Sequence, residues 1–532
     1  MTTVLAFKDL IDKPEFRPLS IAPTTSTAGK CLAFDLRNTG NKEPNLWHLT
    51  ALTAFEKYLK AADDWITTAA FTAVGGAIGA GSGVMFVPSH GPAGTVGASP
   101  ANTGITLAAL PNASSVGINQ LANAGDGSGY RIRIIGKTSG KIEERTIVAN
   151  TAGTTPVVTF DTPLSFVPTI TDTYEVLSGR IYILGSGTTA AGYFKAFDIA
   201  TQSISGNLSV TNLAATIGTD FSAVALDEQY VPNTSNPGEG MILGGATYNG
   251  GLLKCIVATA AAAGSITGSG MPAGLLANEF SNYQVRIVED TTNPTAVGQR
   301  RKITSHTGGA TAVFTVAAWA VTPSATAKFV VENNNDLLLW TNAAAVTYSY
   351  LAGGFAADAA WSTAAIAGGA MVQYANPPAA MGAGCMAESC FPITPDAAKN
   401  ARNSHIMWFR GAATTTLYYL DIAAGSNGTW SAAVTYGNNQ SITFTTGCSS
   451  AQDAATNGGK YMYINMGSQR IYRFDMLNRV LEPWCYIRYA QSTAVAGGKL
   501  ATGTFIDGST KLGFLYLIRQ TGQEFFDCIL QR

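Results

Sequence analysis

Two stretches of this chain, about 155 residues apart, are versions of one pattern, and a short non-helical pattern present twice confines the chain to a modular β architecture. The first copy reads Tyr130-Arg-Ile-Arg-Ile134, Arg145-Thr-Ile147, Thr151-Ala-Gly153, Val158-Thr-Phe160, Pro168 and Tyr174-Glu-Val176. The second reads Tyr283-Gln-Val-Arg-Ile287, Arg301-Lys-Ile303, Thr307-Gly-Gly309, Phe314-Thr-Val316, Pro323 and Phe329-Val-Val331. Only changes in loop length separate them. Both interrupt a different repeating unit, so they read as insertions into a larger β scaffold.

That second unit is a strand ending in an aromatic, an Asp and an aliphatic residue, several times followed by a tryptophan. It occurs at Asp35 with Trp47, at Asp198, at Asp421 with Trp430, at Asp475 with Trp484, and in degenerate form at Asp527. An alternating strand precedes four of these, at Arg180-Ile-Tyr-Ile-Leu184, His405-Ile-Met-Trp-Phe409, Lys460-Tyr-Met-Tyr-Ile464 and Gly513-Phe-Leu-Tyr-Leu517. A short turn between the two strands is the mark of a hairpin. Farther upstream, segments such as 218–225 and 446–453 supply small residues for an innermost strand. Residues 340–380 show the strand pair without the Asp. A four-stranded unit recurring about every 50 residues resembles the kelch-like β-propeller. Within it, each Asp is expected to accept backbone N–H bonds in the turn after its strand, and the aromatics to pack between blades.

The expected fold is therefore all-β: a propeller of six to eight blades, seven fitting the spacing best, with two inserted sister modules. The boundaries read as 1–100 for the N-terminal segment and first blades and 101–177 for the first insert. Blades follow at 178–258, the second insert at 259–332, and closing blades at 333–532. Long insertions in surface connections cost little in closure entropy. The clearest helix signal lies at residues 51–62, with Leu52, Phe55 and Leu59 on one face.

Charge and composition narrow the function. Charged residues make up 13% of the chain, about half the usual share, and the formal net charge is −1. No field draws the protein onto nucleic acid or a membrane surface, and so sparse a surface charge suits one covered by neighbouring subunits. Seven scattered cysteines fit buried thiols of a reducing compartment better than a disulfide framework. Cys385, Cys390 and His405 fall short of a four-ligand metal site. The charged N-terminal stretch lacks the apolar core of a secretory signal. Gly79-Ala-Gly-Ser-Gly83 is followed by no lysine and cannot act as a phosphate loop. The four histidines have no partner at dyad spacing. Paired carboxylates brought together from distant blades, as glycosidases on propellers use, would leave no local motif. No catalytic, cofactor or metal residue is nominated, and the chain is expected not to be an enzyme.

The inserted pattern is similar to a module common in virion proteins of tailed bacteriophages. The second copy carries its commoner form in Ala296-Val-Gly-Gln-Arg-Arg-Lys-Ile303 and Thr322-Pro323, whereas the first has Lys141-Ile-Glu-Glu-Arg145 in place of the Gly-Gln turn. Together with the propeller pattern, the chain resembles the tail nozzle or hub proteins of short-tailed phages. That resemblance implies a homo-oligomeric ring, hexameric in the simplest case, made in the host cytoplasm and assembled into the tail. Its partners would be the portal–adaptor complex and tail fibres, with DNA passing through unbound to its sequence and no membrane insertion. A receptor- or glycan-binding decoration protein and a propeller enzyme acting on glycans are the alternatives.

Overall fold

The computed structural model describes residues 16–22, 31–34, most of 46–68, 83–87, most of 91–184, and 194–204. It continues with three strands between 221 and 244, residues 256–332 except 272, and 337–530 with gaps. The described residues are all-β apart from one short 3-10 turn at Pro294–Ala296. The helix expected at 51–62 is not formed: Ala51 and Ala54–Leu59 lie in the hairpin of Leu46–Ala51 and Ala54–Leu59, whose strands pair from Leu46↔Tyr58 to Ala51↔Ala54, and Leu52 lies outside the described residues. The apolar residues of that stretch fit both periods, and packing on two sides selects the strand, as it often does for short segments.

Six sheets, each built on four antiparallel strands and two of them with a short fifth strand, form a propeller-like arrangement; in all but the last, the four strands run in sequence order from inner to outer edge. Blade 1 runs Cys31–Phe34, Leu46–Ala51, Ala54–Leu59 and Asp64–Thr67; blade 2 runs Gly83–Val87, Arg180–Leu184, Phe194–Asp198 and Ser203–Ile204. Blade 3 comprises Phe221–Ala225, Leu337–Thr341, Thr347–Leu351 and Ala370–Gln373, and blade 4 comprises Met386–Ser389, His405–Phe409, Thr416–Asp421 and Thr429–Trp430. Blade 5 holds Ser449–Gln452, Tyr461–Asn465, Arg470–Asp475 and Val480–Tyr486. Blade 6 takes Lys499–Asp507, Thr510–Ile518 and Phe525–Leu530 from the C-terminal end, and its outermost strand, Arg17–Pro18, from the N-terminal end. The first strand of each blade touches the first strand of the next, and blade 6 returns to blade 1, so the inner strands close a ring of six. Among the described residues there are thus six such sheets, one fewer than the spacing favoured, and nothing in them is specific to the kelch pattern.

The alternation of strand side chains explains why these strands are apolar on both faces. In blade 1, Leu32, Leu46, Tyr58 and Trp65 pack against Phe514, Tyr516 and Phe525 of blade 6, whereas Ala33, Trp47, Leu49 and Phe55 pack against Ile181, Ile183 and Phe197 of blade 2. Met407, Phe409 and Leu417 of blade 4 meet Met462, Ile464 and Phe474 of blade 5 in the same way.

Each insertion is a complete six-stranded barrel. In the second, the cycle of pairings runs through Ile256–Ala262, Lys328–Glu332, Gln284–Glu289, Arg300–His306, Thr311–Val316 and Ser265–Ser269, and back to the first. In the first barrel the equivalent order is Ala93–Thr95, Thr173–Leu177, Arg131–Gly136, Lys141–Asn150, Val157–Phe160 and Gly104–Thr106. It closes by the bridge Val96↔Leu107. Each barrel begins earlier than the repeat suggested, at Ala93 rather than 101 and at Ile256 rather than 259. The opening strands carry no shared residues to mark them.

The sequence repeat has a physical cause. Thr151 and Thr307 each accept, on the side-chain oxygen, the N–H of Val157 and Val313, both at 2.9 Å. Arg145 and Arg301 each fold back on the preceding carbonyl, of Glu144 and Arg300, both at 2.7 Å. Asn119 and Asn278, both at positive φ, each accept the N–H of the residue ending a long strand, Asn150 and His306. The barrels join edge to edge at Lys141↔Glu289, where the Asp290 N–H donates to the Gly140 carbonyl at 2.7 Å. Ile135 and Ile142 of the first barrel enter the core of the second.

Candidate functional site

Two places on the wheel concentrate chemistry: the inner ring and the seam between the last and first blades. The inner strands are built of small and apolar residues because six of them share a narrow axis. Among their described side chains, Glu388 of blade 4 is the one ionisable group. Its carboxylate accepts the Ser450 hydroxyl of the neighbouring inner strand at 2.9 Å. Desolvation pushes the Glu388 carboxyl up to about 7, against the lowering pull of Ser450. A carboxyl held near neutrality can give or take a proton at physiological pH.

The sign of the linkage is fixed by that upward shift. Glu388 favours the folded state when protonated, so its contribution is present below the unfolded value of about 4.5 and is lost as pH rises through about 7. Glu388→Gln is expected to flatten this part of the stability profile. Denaturant midpoints measured across that range should fall with rising pH in the parent and fall less steeply in the variant, in which buried Asp198 still titrates. Parallel profiles would place the titration elsewhere.

At the seam, Asp527 is wholly buried and holds two cations. Arg17 donates to it through Nε at 3.0 Å and Nη2 at 2.8 Å, and Lys60 Nζ donates at 2.6 Å. Arg17 belongs to the N-terminal strand and Lys60 follows the third strand of blade 1, so one carboxylate links both ends of the chain with the first blade. Lys60 Nζ also lies 3.8 Å above the Phe514 ring, within cation–π reach. Beneath the seam, Cys485 of blade 5 and Cys528 of blade 6 share one core. The neighbouring Cys485 and burial push the Cys528 thiol up, which suits an inert packing residue.

The residues singled out in the sequence fall into several roles. Asp198, Asp421, Asp475 and Asp527 all lie on the third strand of a blade. Asp198 Oδ1 accepts the Thr201 N–H and hydroxyl, both at 2.9 Å, and burial raises its carboxyl to about 6 against the pull of Arg180. Asp475 accepts the Asn478 N–H and side-chain amide at 2.9 Å each. At Asp421 the backbone carbonyl takes the Ala424 N–H at 3.3 Å. Asp527 makes no such turn: it sits inside its strand, opposite Tyr516, and its acceptor sites go to the seam cations instead. Asp35 lies outside the described residues. The strand before it is the first of its blade, so Trp47, on a second strand, does not share the frame of Trp430 and Trp484. Trp430 packs on Trp408 and Trp340, Trp484 on Tyr463, and Trp47 on Phe55 and Phe197. Trp430–Trp340 and Trp47–Phe197 join neighbouring blades, whereas the other three contacts lie within one blade.

Sequence reasoning missed Glu388, Arg17, Lys60 and the ring of His306. Glu388 and Ser450 are 62 residues apart with no motif around either. Arg17 and Asp527 are 510 apart, and only the closure of the wheel brings them together. Among the described residues no cluster of ligating side chains could hold a metal ion, and no helix is long and apolar enough to cross a membrane.

No protein-family model matches the chain, and no curated protein matches it. Among solved structures it is similar to an α-L-arabinanase of Penicillium chrysogenum complexed with arabinobiose, at 8% identity and a TM-score of 0.28 over 97% of both chains. It is also similar to the GH93 α-L-arabinofuranosidase of Fusarium graminearum, at 8% identity and 0.26, again over 97% of each. The endosialidase of phage phi92 shows 9% identity and 0.24 over 94% of this chain and 58% of that one. Likeness of this degree assigns no residue and no substrate. It does correct one expectation: these similar structures are enzymes acting on glycans, so the sequence-based exclusion of an enzyme is withdrawn.

Proposed function

We propose that this chain is a virion protein of a tailed phage, of the tail nozzle or hub kind, whose copies assemble into a ring below the portal–adaptor complex. The observation that carries the reading is the pair of sister barrels, joined edge to edge and packed onto the wheel. Their residue pattern is the one similar to phage virion modules, and a strand pairing and a shared core join them. Net charge near zero suits a wall past which DNA must slide, since phosphate contacts would retard it. The direct test is to mix the purified protein with the portal–adaptor complex of its phage and image the particles by negative stain. A ring of copies at the narrow end supports the reading. A protein that stays monomeric and undocked overturns it.

One observation favours a second reading, in which the axial opening handles a glycan. Glu388 on the inner ring has a carboxyl held near neutrality, as a general acid that protonates a glycosidic oxygen requires, a role that contributes about 10²–10⁴ in rate. Turnover or binding of a glycan panel, reduced by that factor in Glu388→Gln, would support it. An unchanged profile in the variant would remove Glu388 from the chemistry.

A further inference from the structure

The two barrels answer the same structural problem with different chemistry at one position. In the first barrel the problem is solved by Asn150, at the end of its long strand. Its Oδ1 accepts the Leu121 N–H at 2.8 Å, and its Nδ2 donates to the Thr151 carbonyl at 2.9 Å. In the second barrel the equivalent residue is His306. Its Nε2 accepts the Phe280 N–H at 2.7 Å, and its Nδ1 lies 2.9 Å from the Thr307 carbonyl. A carbonyl can only accept and an N–H can only donate, so the proton must be on Nδ1 and Nε2 must be bare. The amide of Asn150 is the version of this arrangement that cannot titrate.

We infer that His306 makes the second barrel's grip on the wheel sensitive to acid, while the first barrel's grip is not. A second proton on the ring would occupy Nε2 and face the Phe280 N–H, donor against donor. The bond would be lost inside a packed core, between the Phe280 and Phe314 rings at 5.7 and 5.2 Å. The segment so released matters because it is a tether. Asn282 Nδ2 donates to the Gly425 carbonyl at 2.8 Å and lies 3.3 Å from that of Ala424, in the turn after Asp421 of blade 4. The first barrel ties to the wheel in the same manner, from Gln120 Nε2 to the Ala200 carbonyl after Asp198, at 2.7 Å.

The ionisable groups around the ring are few. Loop 270–283 carries Glu279, whose carboxylate accepts the Leu276 N–H at 3.1 Å. The packed strand Thr311–Val316 carries none. On its own strand, Arg301 is turned to the Ala318 and Arg300 carbonyls, Lys302 reaches Asn427 on blade 4, and Arg300 stands at the strand's far end.

Amide hydrogen exchange on the full chain tests the inference, with rates corrected for the intrinsic effect of pH. Between about pH 7.5 and about pH 5, protection of the Phe280 amide is expected to fall about tenfold or more, with Asn282 following, while the Leu121 amide keeps its protection. His306→Asn, which installs the first barrel's own solution, should abolish the change. Equal behaviour of Phe280 and Leu121, or an unchanged response in the variant, overturns the inference. Should the variant fold poorly, the ¹⁵N signals of His306 in the parent decide it independently. A proton on Nδ1 at neutral pH that is joined by one on Nε2 as protection falls supports the inference; a proton on Nε2 at neutral pH overturns it.

Discussion

Asp527→Asn should lower the free energy of unfolding by about 3 kcal/mol, among the largest single-residue effects in the chain. The carboxylate is wholly buried and serves two cations, Lys60 largely buried and Arg17 about half exposed. Removing one member of a buried pair strands its partner, which costs about 3–5 kcal/mol, and the exposure of Arg17 brings the figure toward the lower end. Arg17→Ala should cost only about 1 kcal/mol, because water screens that side of the pair. Denaturant titration gives both numbers. Hydrogen exchange should show that protection is lost first at Phe525–Leu530 and blade 1, the elements the carboxylate joins. A loss spread evenly over all six blades would mean that the seam is not the weak point of the ring.

Gly140→Ala should open the joint between the barrels. Gly140 has φ of +71°, a region an L side chain enters at a cost, and a Cβ there would overlap the Asp290 carbonyl. Because the obstacle is backbone, no side-chain rotation relieves it. The joint should separate at a cost of about 3 kcal/mol or more, losing the Asp290–Gly140 bond and the Lys141↔Glu289 pairing. Each barrel retains its own closed cycle of strands, so the expected outcome is two intact barrels with new protease sensitivity at 136–141 and 289–300. Gly153→Ala, at φ of +122° with open space around it, controls for backbone strain alone. If both variants behave alike, contact with Asp290 is not what holds the barrels together.

The wheel was legible because its repeating features are local. An Asp at the end of a third strand and a hairpin before it leave marks a few residues long, and so do the Thr-x-Gly turns of the barrels. The short inner strands left fainter marks, and the count of blades suffered from it: segments such as Ala-rich 340–380 had to be divided without an Asp to guide them. Blade 1 misled most. Its Asp35 and Trp47 imitate the spacing of later blades, yet the strand before Asp35 is the first of its blade and Trp47 lies on the second. Its amphipathic 51–62 stretch reads as helix, whereas Phe55 and Tyr58 of the strand Ala54–Leu59 are buried against the two neighbouring blades. What could not be read are meetings between distant parts of the chain. Arg17 with Asp527 depends on closure of the ring, Glu388 with Ser450 on the packing of neighbouring blades, and Asn282 with the turn after Asp421 on the docking of a barrel, and no local pattern encodes them.

The two-residue strand Arg17–Pro18 has a consequence for biogenesis. It sits on the outer edge of a sheet whose other three strands lie far downstream, from Lys499 to Leu530, with Arg17 opposite Asp527 in the register. An emerging polypeptide therefore carries one half of its fastener with nothing to close upon until Phe525–Leu530 has been made. Completion of the circle is a late, long-range event of the slow kind that high contact order imposes. A product that stops short of residue 525 lacks the strand that receives Arg17, so premature termination leaves an open arc rather than a smaller wheel.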